Sequence, residues 1–429
     1  MTKARLVARD IQKGVYDEIF KMLYWPDEET VSKQRDRYVG AIDSFERHYG
    51  TDRDISIYSV PGRVELCGNH TDHNNGVVLA SAVNIDIIAA TSKSGGSVIR
   101  LRSYGFDGED VVGLDQLSPD EREFGKSSAI IRGVAAAFHD RGGEYGAFDA
   151  YTTSDVLKGS GLSSSAAFEV CVGSILNGEY NEGRFDAVTL AMIGQFSENK
   201  FFGKPSGLMD QTACSVGGTV FIDFENHASP LVEKVPLDMA SNDIYLVVTD
   251  TKSDHSDLTE EYGAIRSEME SVAVYFGKKC LREVEYEDFM SSIADVRRRA
   301  GDRAIVRAIH FFEECRRVRE AVFAAKNRDM PRWLSILGEC GHSSFEFNQN
   351  AYSVKTPEHQ GIPVALAVSE AILGRRGACR LQGGGFAGAI QAFVPGDLLD
   401  EYCGAMRRVF GDGACRVLNV RPRGGIRIL

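Results

Sequence analysis

The sequence of 429 residues lacks any apolar run of the roughly 18 residues that a membrane-spanning helix needs. It also lacks a basic excess, because 49 Lys and Arg residues stand against 61 Asp and Glu residues and leave a net charge of −12. The first absence argues against a membrane protein, and the second argues against nucleic acid as the main partner. The N-terminus has no signal-peptide pattern of charged and then apolar residues.

Paired cysteines are also missing. Nine cysteines are scattered through the chain with no C-x-x-C spacing, which argues against a zinc site and against a disulfide framework. An odd number of unclustered cysteines indicates reduced thiols, so we expect a cytoplasmic protein.

The apolar pattern predicts a mixture of helices and strands. Residues 1–50 have helical spacing, interrupted at Trp25–Pro26, and residues 55–103 are typical of three strands separated by Gly-rich turns. Further helices are predicted over 127–140, 166–177, 187–199, 258–276, 285–300, 306–326 and 363–373, and strands over 148–153, 219–224, 244–249, 389–394 and 415–420. The length predicts two domains (51–225 and 226–429) after a helical extension (1–50).

A loop rich in glycine and serine, KGSGLSSSAAFEV (158–170), leads into one predicted helix. Its glycines let a ligand approach the backbone, and a helix N-terminus offers free N–H groups and a positive dipole end to an anion. The loop lacks the Gly-Lys-Ser/Thr ending of a Walker motif. By itself it fits either a phosphate site or a serine-rich helix cap.

Polar residues are concentrated in the strand and turn PGRVELCGNHTDHNNG (61–76). Its Asn, Asp and His side chains offer paired donors and acceptors, which suit the hydroxyl groups of a polyol. An ordinary Asn/Asp turn with incidental histidines is the alternative. A metal site at His70 and His73 is disfavoured because the ligand set is incomplete.

Three further positions are candidates for chemistry. Asp210, in PSGLMDQ (205–211), is either a buried general base or a cap for the turn that follows. Glu198 is either a magnesium ligand or an exposed helix residue. Three successive glycines in QGGGFAG (382–388) permit close approach of a ligand or of a neighbouring segment.

Together these stretches resemble the motifs of one enzyme family. Residues 61–76 look like the galactokinase signature, 158–170 resembles the phosphate-binding motif of the GHMP small-molecule kinases, and 382–395 is similar to their third, Gly-rich motif. PSGLMDQ resembles the galactokinase segment with the catalytic aspartate, and DLTEEYGAIRSEME (257–270) the segment with a sugar-contacting tyrosine. The five stretches follow the order of the family.

The resemblance implies an α+β protein with the two-domain GHMP kinase fold. In that fold an N-terminal mixed sheet with helices and a C-terminal α/β sandwich have the active site between them. The resemblance further implies ATP-dependent phosphorylation of the anomeric hydroxyl of galactose or a close relative, with Mg²⁺ as cofactor, in a monomer or weak dimer. Phosphoryl transfer depends on positioning and charge neutralisation, which such a site supplies.

The resemblance also implies roles for individual residues. Asp210 would lie against the anomeric hydroxyl, and Arg63 would hold Asp210 ionised and stabilise charge on the transferring phosphoryl group. Ser164 and Glu198 would hold Mg²⁺. The sugar would contact Asn69, His70, Asp72, Gly207 and Tyr262, and the ATP phosphates would contact Gly159, Ser160, Gly161, Leu162, Ser163, Ser164 and Ser165.

Three positions depart from the family pattern. Glu65 stands where Asn is usual, His73 where Tyr is usual, and Asn69 where Glu is usual. The family's Glu accepts a hydrogen bond from the sugar 6-hydroxyl, whereas an amide carries no charge and would tolerate a 6-carboxylate. We therefore predict that the substrate is galactose or a relative such as galacturonate or arabinose, with N-acetylgalactosamine as a further alternative.

Two other functions stay open. Another GHMP kinase, of the mevalonate or homoserine type, would have no use for the cluster GNHTDHNNG. A non-catalytic sensor of sugar and ATP would be indicated by loss of the serine-rich loop or of the aspartate, and both are present in the sequence.

Overall fold

A computed structural model describes residues 3–156, 161–253 and 258–429, with the side chain of residue 259 outside the description. The helices within these ranges are α1 (Lys3–Gln12), α2 (Asp17–Leu23), α3 (Glu28–Tyr49), α4 (Ser127–Asp140), α5 (Ser164–Tyr180), α6 (Ala187–Ser197), α7 (Met209–Val216), α8 (Thr259–Tyr275), α9 (Tyr286–Ser291), α10 (Ile293–Ala300), α11 (Asp302–Lys326), α12 (Met330–Ser343), α13 (Gly361–Leu373) and α14 (Leu399–Phe410). The strands are β1 (Ser56–Cys67), β2 (Val77–Lys93), β3 (Val98–Ser103), β4 (Asp110–Gly113), β5 (Phe148–Ser154), β6 (Thr219–Asp223), β7 (Leu231–Val235), β8 (Ile244–Asp250), β9 (Ala378–Gln382), β10 (Ala389–Pro395), β11 (Cys415–Leu418) and β12 (Ile426–Arg427).

The strands form two sheets, which confirms the predicted mixture of helix and strand. The first sheet has the order β12-β1-β2-β5-β3-β4, and β6 and β7 extend it from β2. The second sheet has the order β11-β8-β10-β9 and is antiparallel throughout. The proposed domain boundary after residue 225 falls inside the β6–β7 hairpin, and β12 returns to the first sheet. We keep the division at residue 225 as a proposal.

The helical extension packs against the first sheet. Phe20, Ile42 and Phe45 are fully buried in one cluster with Ile57 and Ile88 of β1 and β2. The predicted interruption of the helices at Trp25–Pro26 is confirmed, because α2 ends at Leu23 and α3 begins at Glu28. The N-cap of α3 is Asp27, whose Oδ1 accepts the N–H of Thr30 at 2.8 Å.

Most other predicted elements are confirmed within a few residues, and one is wrong. The single helix predicted over 285–300 is two helices, α9 and α10, because the chain turns at Ser292. Six elements of the structure were not predicted, namely helices α7, α12 and α14 and strands β4, β7 and β12. All nine cysteines are free thiols, as expected. Within the described ranges, the helices are too short or too polar to cross a lipid bilayer.

Candidate active site

Arg63 and Asp210 form a bidentate ion pair at the junction of two motifs. The guanidinium Nε and Nη2 of Arg63 each donate to one oxygen of Asp210, both at 2.7 Å. Arg63 lies on β1, where register shifts between Pro61 and Arg63 and between Glu65 and Cys67 interrupt the regular alternation of side chains. Asp210 lies in the first turn of α7. The structure thus joins two residues that are 147 positions apart in the sequence.

The serine loop (residues 161–165) contacts both members of the Arg63–Asp210 pair. Ser163 is the N-cap residue of α5 and has a left-handed backbone (φ 58°), and its hydroxyl donates to Asp210 Oδ2 instead of accepting an N–H of the helix. The third nitrogen of Arg63 donates to the carbonyl of Gly161. The predicted residues Gly159 and Ser160 lie outside the described residues, whereas Gly161, Leu162, Ser163, Ser164 and Ser165 are described. The side chain of Leu162 is buried in the core, so only its backbone can face a ligand.

The charge of Asp210 is fixed by these neighbours. Burial raises the pKa of the Asp210 carboxyl, but the attraction and hydrogen bonds of Arg63, with help from Ser163 and Lys204, outweigh burial and leave the pKa below its usual value. Asp210 is therefore ionised at neutral pH. A cavity of about 280 Å³ opens beside it, lined by Arg63, Gly161, Ser163–Ser165, Lys204, Asp210, Gln382–Gly385 and Ala387–Ala389.

The polar turn (residues 68–76) brings two further predicted residues together. Asp72 Oδ1 accepts the N–H of His73 at 2.9 Å, and its other oxygen lies so close to Gly207 that a Cβ on that glycine would meet Oδ2 at 1.9 Å. Burial, and then the negative charges of Glu65 and Asp210, raise the pKa of Asp72 to about 6. His70 has a positive φ of 57°, and its Nε2 lies 3.0 Å from the carbonyl of Gly384.

Asn69 has protein partners on both sides of its amide. Its Oδ1 accepts from Asn350 Nδ2 at 2.8 Å, its Nδ2 donates to the carbonyl of Gly383 at 2.9 Å, and the residue is 1% exposed. The amide of Asn69 therefore joins the polar turn to the glycine loop (residues 383–388). The predicted contact of Asn69 with a sugar stays a prediction, and it requires these bonds to rearrange.

Tyr262 lies on α8 against the glycine loop. Its hydroxyl donates to the carbonyl of Gly385 at 2.8 Å, and its ring meets Phe386 edge-on, with the ring centres 5.3 Å apart. A Cβ on Gly384 would lie 2.6 Å from the Tyr262 ring, so the loop needs a glycine there for this close approach. The loop is the hairpin between β9 and β10, and it lines the cavity and contacts both Tyr262 and the polar turn.

Glu198 begins a π-helical turn (Glu198–Phe202) at the end of α6, a feature common at functional sites. Its buried carboxylate accepts from Lys204 Nζ through Oε1 and from Gln211 Nε2 through Oε2, both at 3.0 Å. Gln211 Nε2 also donates to Glu169 Oε2 at 2.9 Å. Burial, and then the negative charge of Glu198, raise the pKa of Glu169 well above its usual value.

The donor set around Glu198 suits a hard divalent cation. Glu169 Oε1 and Gln211 Oε1 are buried and, in the part of the chain that the structure describes, accept no hydrogen bond. Carboxylate and amide oxygens are preferred ligands of Mg²⁺. The ammonium of Lys204 already lies at Glu198, so the position attracts a cation. Ser164 and Lys204 line the same cavity, and Lys204 contacts Glu198, so the role of Ser164 and Glu198 as metal ligands stays a prediction.

Several residues of the site were missed by the sequence reasoning. Glu65 is paired with Arg380 at 2.9 Å, and both side chains are buried. Glu314 Oε1 accepts the N–H of Gly68 at 3.0 Å, and His310 Nε2 lies 2.9 Å from the carbonyl of Asn69. His310 and Glu314 are one helical turn apart on α11, and a polar pair on the buried face of a predicted helix is the signal that could have identified them.

Known proteins share these motifs and this fold. The galactokinase galactose-binding signature matches residues 43–93, and the GHMP kinases N terminal domain matches residues 129–218. The galactokinase of Streptomyces coelicolor is 32% identical over 396 residues, which cover 90% of this chain and 97% of that protein. The galactokinase of Actinobacillus pleuropneumoniae serotype 5b is 31% identical over 377 residues, which cover 87% of this chain and 92% of that protein.

Solved structures agree on the fold. Lactococcus lactis galactokinase complexed with galactose superposes with a TM-score of 0.76 at 22% identity, covering 90% of this chain and 98% of that one. A mevalonate kinase superposes with a TM-score of 0.58 at 15% identity, covering 85% of this chain and 99% of that one. These similarities confirm the predicted GHMP kinase fold.

Proposed function

This chain belongs to the galactokinase family of GHMP kinases, and on that basis we propose that it is an ATP-dependent sugar 1-kinase. The reaction transfers the terminal phosphoryl group of ATP to the anomeric hydroxyl of galactose or a close relative and gives the sugar 1-phosphate and ADP. The observation that carries the proposal is the bidentate Arg63–Asp210 pair, which borders a cavity shared with the serine loop and the glycine loop.

Different residues of the site have different roles in phosphoryl transfer. The ionised Asp210 accepts the hydrogen of the sugar hydroxyl, and its low pKa makes proton transfer to the carboxylate a late event. Arg63 opposes the negative charge that develops beside Asp210, and the N–H groups at the start of α5 face the phosphates. Mg²⁺, held by Ser164 and Glu198, would supply further neutralisation of phosphate charge.

A sugar panel tests the proposal. We expect ADP release with galactose, and at least roughly tenfold lower kcat/KM with galacturonate, because a 6-carboxylate would meet acceptors. In the described structure the buried Oδ1 atoms of Asn348 and Asn350 accept no hydrogen bond, and Asp72 adds a carboxylate to the polar turn. These atoms favour a ligand that brings hydroxyl donors. Arabinose and N-acetylgalactosamine complete the panel, measured in a coupled ADP assay.

The panel separates the alternatives. If kcat/KM for galacturonate equals that for galactose, the site tolerates a 6-carboxylate, as expected from Asn69 alone. That result would contradict the preference for hydroxyl donors. No sugar-dependent ADP formation with any of the four sugars would leave a non-catalytic sensor as the better account. Asp210→Asn serves as the control for ADP release that does not depend on this site.

The raised pKa of Asp72 predicts a pH dependence of sugar binding. An ionised carboxylate accepts hydroxyl hydrogens more strongly than a neutral one, so affinity should fall as the pH drops through about 6. Between pH 7 and pH 5 the ionised fraction falls about tenfold, and Kd for galactose should rise by the same factor. Over this range His70, with a pKa lowered to about 4 by burial, stays neutral. Calorimetric titration at pH 5, 6 and 7 measures the effect.

Asp72→Asn is the matched variant for this titration. It should bind galactose more weakly than wild type at pH 7 and with nearly the same affinity at pH 5 and pH 7. The same pH slope in the variant and in the wild type would remove Asp72 as its origin.

We also propose a cytoplasmic location and a monomeric or weakly dimeric state with no nucleic-acid or membrane partner. The free cysteines and the net charge of −12 support the first and last of these statements.

A further inference from the structure

Lys204 is a cation at the edge of the cavity that the sequence motifs do not account for. Its Nζ lies 3.0 Å from Glu198 Oε1, and its side chain is 60% exposed whereas that of Glu198 is 4% exposed. Lys204 lines the cavity together with Ser163, Ser164 and Asp210. The carboxylate of Glu198 is therefore buried, whereas the ammonium of Lys204 reaches the cavity in which we place the phosphates.

The backbone that carries Lys204 is held firmly. The N–H of Lys204 donates to the carbonyl of Glu198 at 3.2 Å. Asn199 Oδ1 accepts the N–H of Ser206 at 2.7 Å, and Gln195 Nε2 donates to the carbonyl of Ser206 at 3.1 Å. Anchors on both sides of Lys204 fix its Cα beside the cavity, so that only the flexible side chain needs to move to reach a ligand.

The two cations of the cavity differ in how they are bound. Arg63 donates two hydrogen bonds to Asp210 and one to Gly161, so its guanidinium is committed to the protein. The ammonium of Lys204 has a hydrogen bond to one oxygen of Glu198 in the described structure.

We propose that Lys204 is a phosphate-contacting residue, which rests on Glu198 when no nucleotide is bound and turns to the terminal phosphate of ATP when the nucleotide enters. The inference rests on the proposed function and deepens it. A strongly hydrated ammonium on a four-carbon stem is suited to such a contact as a point charge. Its departure from Glu198 would leave that buried carboxylate available to a divalent cation.

Nucleotide binding without metal tests Lys204 directly. Calorimetry in EDTA should show a Kd for ATP at least fivefold higher in Lys204→Met than in wild type, and a Kd for ADP within twofold, because ADP lacks the terminal phosphate. Lys200→Met is the matched control, since Lys200 is an exposed lysine on the π-helical turn that precedes Lys204, and it should change neither value. Lys204→Arg should recover part of the ATP affinity.

The outcomes separate this inference from the proposed function. An unchanged Kd for ATP in a folded Lys204→Met variant would overturn the role of Lys204, and so would an equal loss for ATP and ADP. The binding measurement needs no turnover, so it decides on Lys204 even if no sugar is phosphorylated. In the coupled ADP assay with galactose, Lys204→Met should lower kcat about tenfold to 100-fold and leave the sugar KM within twofold.

Discussion

Asp210→Asn should lower kcat on the order of 1,000-fold while sugar binding remains measurable. The variant loses the negative charge that accepts the hydroxyl proton. Because Arg63 and Ser163 both donate to Asp210, the amide nitrogen of the variant would also lie against hydrogen-bond donors and could not accept from them. It also leaves the guanidinium of Arg63, which is 5% exposed, without its counter-charge. General-base and electrostatic contributions lost together account for the magnitude.

Asp397→Asn is the matched control for this measurement. Asp397 also makes a bidentate pair with an arginine, Arg376, at 2.9 and 2.7 Å, but both side chains are more than half exposed. The control should keep wild-type kcat. Steady-state ADP release gives kcat, and calorimetry gives the sugar Kd. Turnover within tenfold of wild type in Asp210→Asn would remove Asp210 from the proton-accepting role.

Asp86→Ala should lower the free energy of unfolding by about 3–5 kcal/mol, because it leaves buried guanidinium groups without a counter-charge. Asp86 is 0% exposed, and its carboxylate accepts from Arg37 at 2.6 Å and from Arg421 at 2.9 Å. The hydroxyls of Tyr24 and Ser59 also donate to it. One carboxylate thus ties the helical extension, β1 and the segment before β12 to the centre of β2.

Denaturant unfolding of Asp86→Ala beside Asp107→Ala checks this expectation. Asp107 is an exposed loop residue, and its replacement should change stability by no more than about 0.5 kcal/mol. The pKa of Asp86 is lowered, because Arg37 and Arg421 outweigh the effect of burial. Its stabilisation is therefore complete above the ordinary pKa near 4 and is lost as the pH falls through the lowered value. The loss of unfolding free energy in Asp86→Ala, relative to wild type, should therefore shrink at acidic pH. A loss that stays the same would contradict the role of the Asp86 charge.

Local patterns were sufficient to predict much of the fold and of the site. The helix 127–140 and the strands β1 to β3 follow from apolar periodicity and turn residues, and the structure confirms them. Short-range sequence order determines such elements, so they are visible in one chain. The pairing of Arg63 with Asp210 was implied by the family resemblance, and the structure brings the two residues into contact.

Long-range partners could not be predicted in this way. The buried pair of Glu65 and Arg380 joins positions 315 apart, and neither residue has a local feature that identifies the other. Asn69 shows the same limit, because its partner Asn350 follows a π-helical turn (Ser344–Asn348) whose backbone is set by tertiary packing. The break between α9 and α10 was missed because both helices share a continuous polar and apolar pattern.

The return of the chain to the first sheet couples the folding of its two halves. Arg421 Nη1 donates to Ser59 Oγ at 2.8 Å across 362 positions, and β12 pairs with β1. Contacts of such high sequence separation form slowly, since the entropy of closing a long loop must be overcome first. The first sheet therefore lacks the edge strand β12 and the buried guanidinium of Arg421 until the last residues of the chain reach it. We expect the two ends of the chain to stabilise each other.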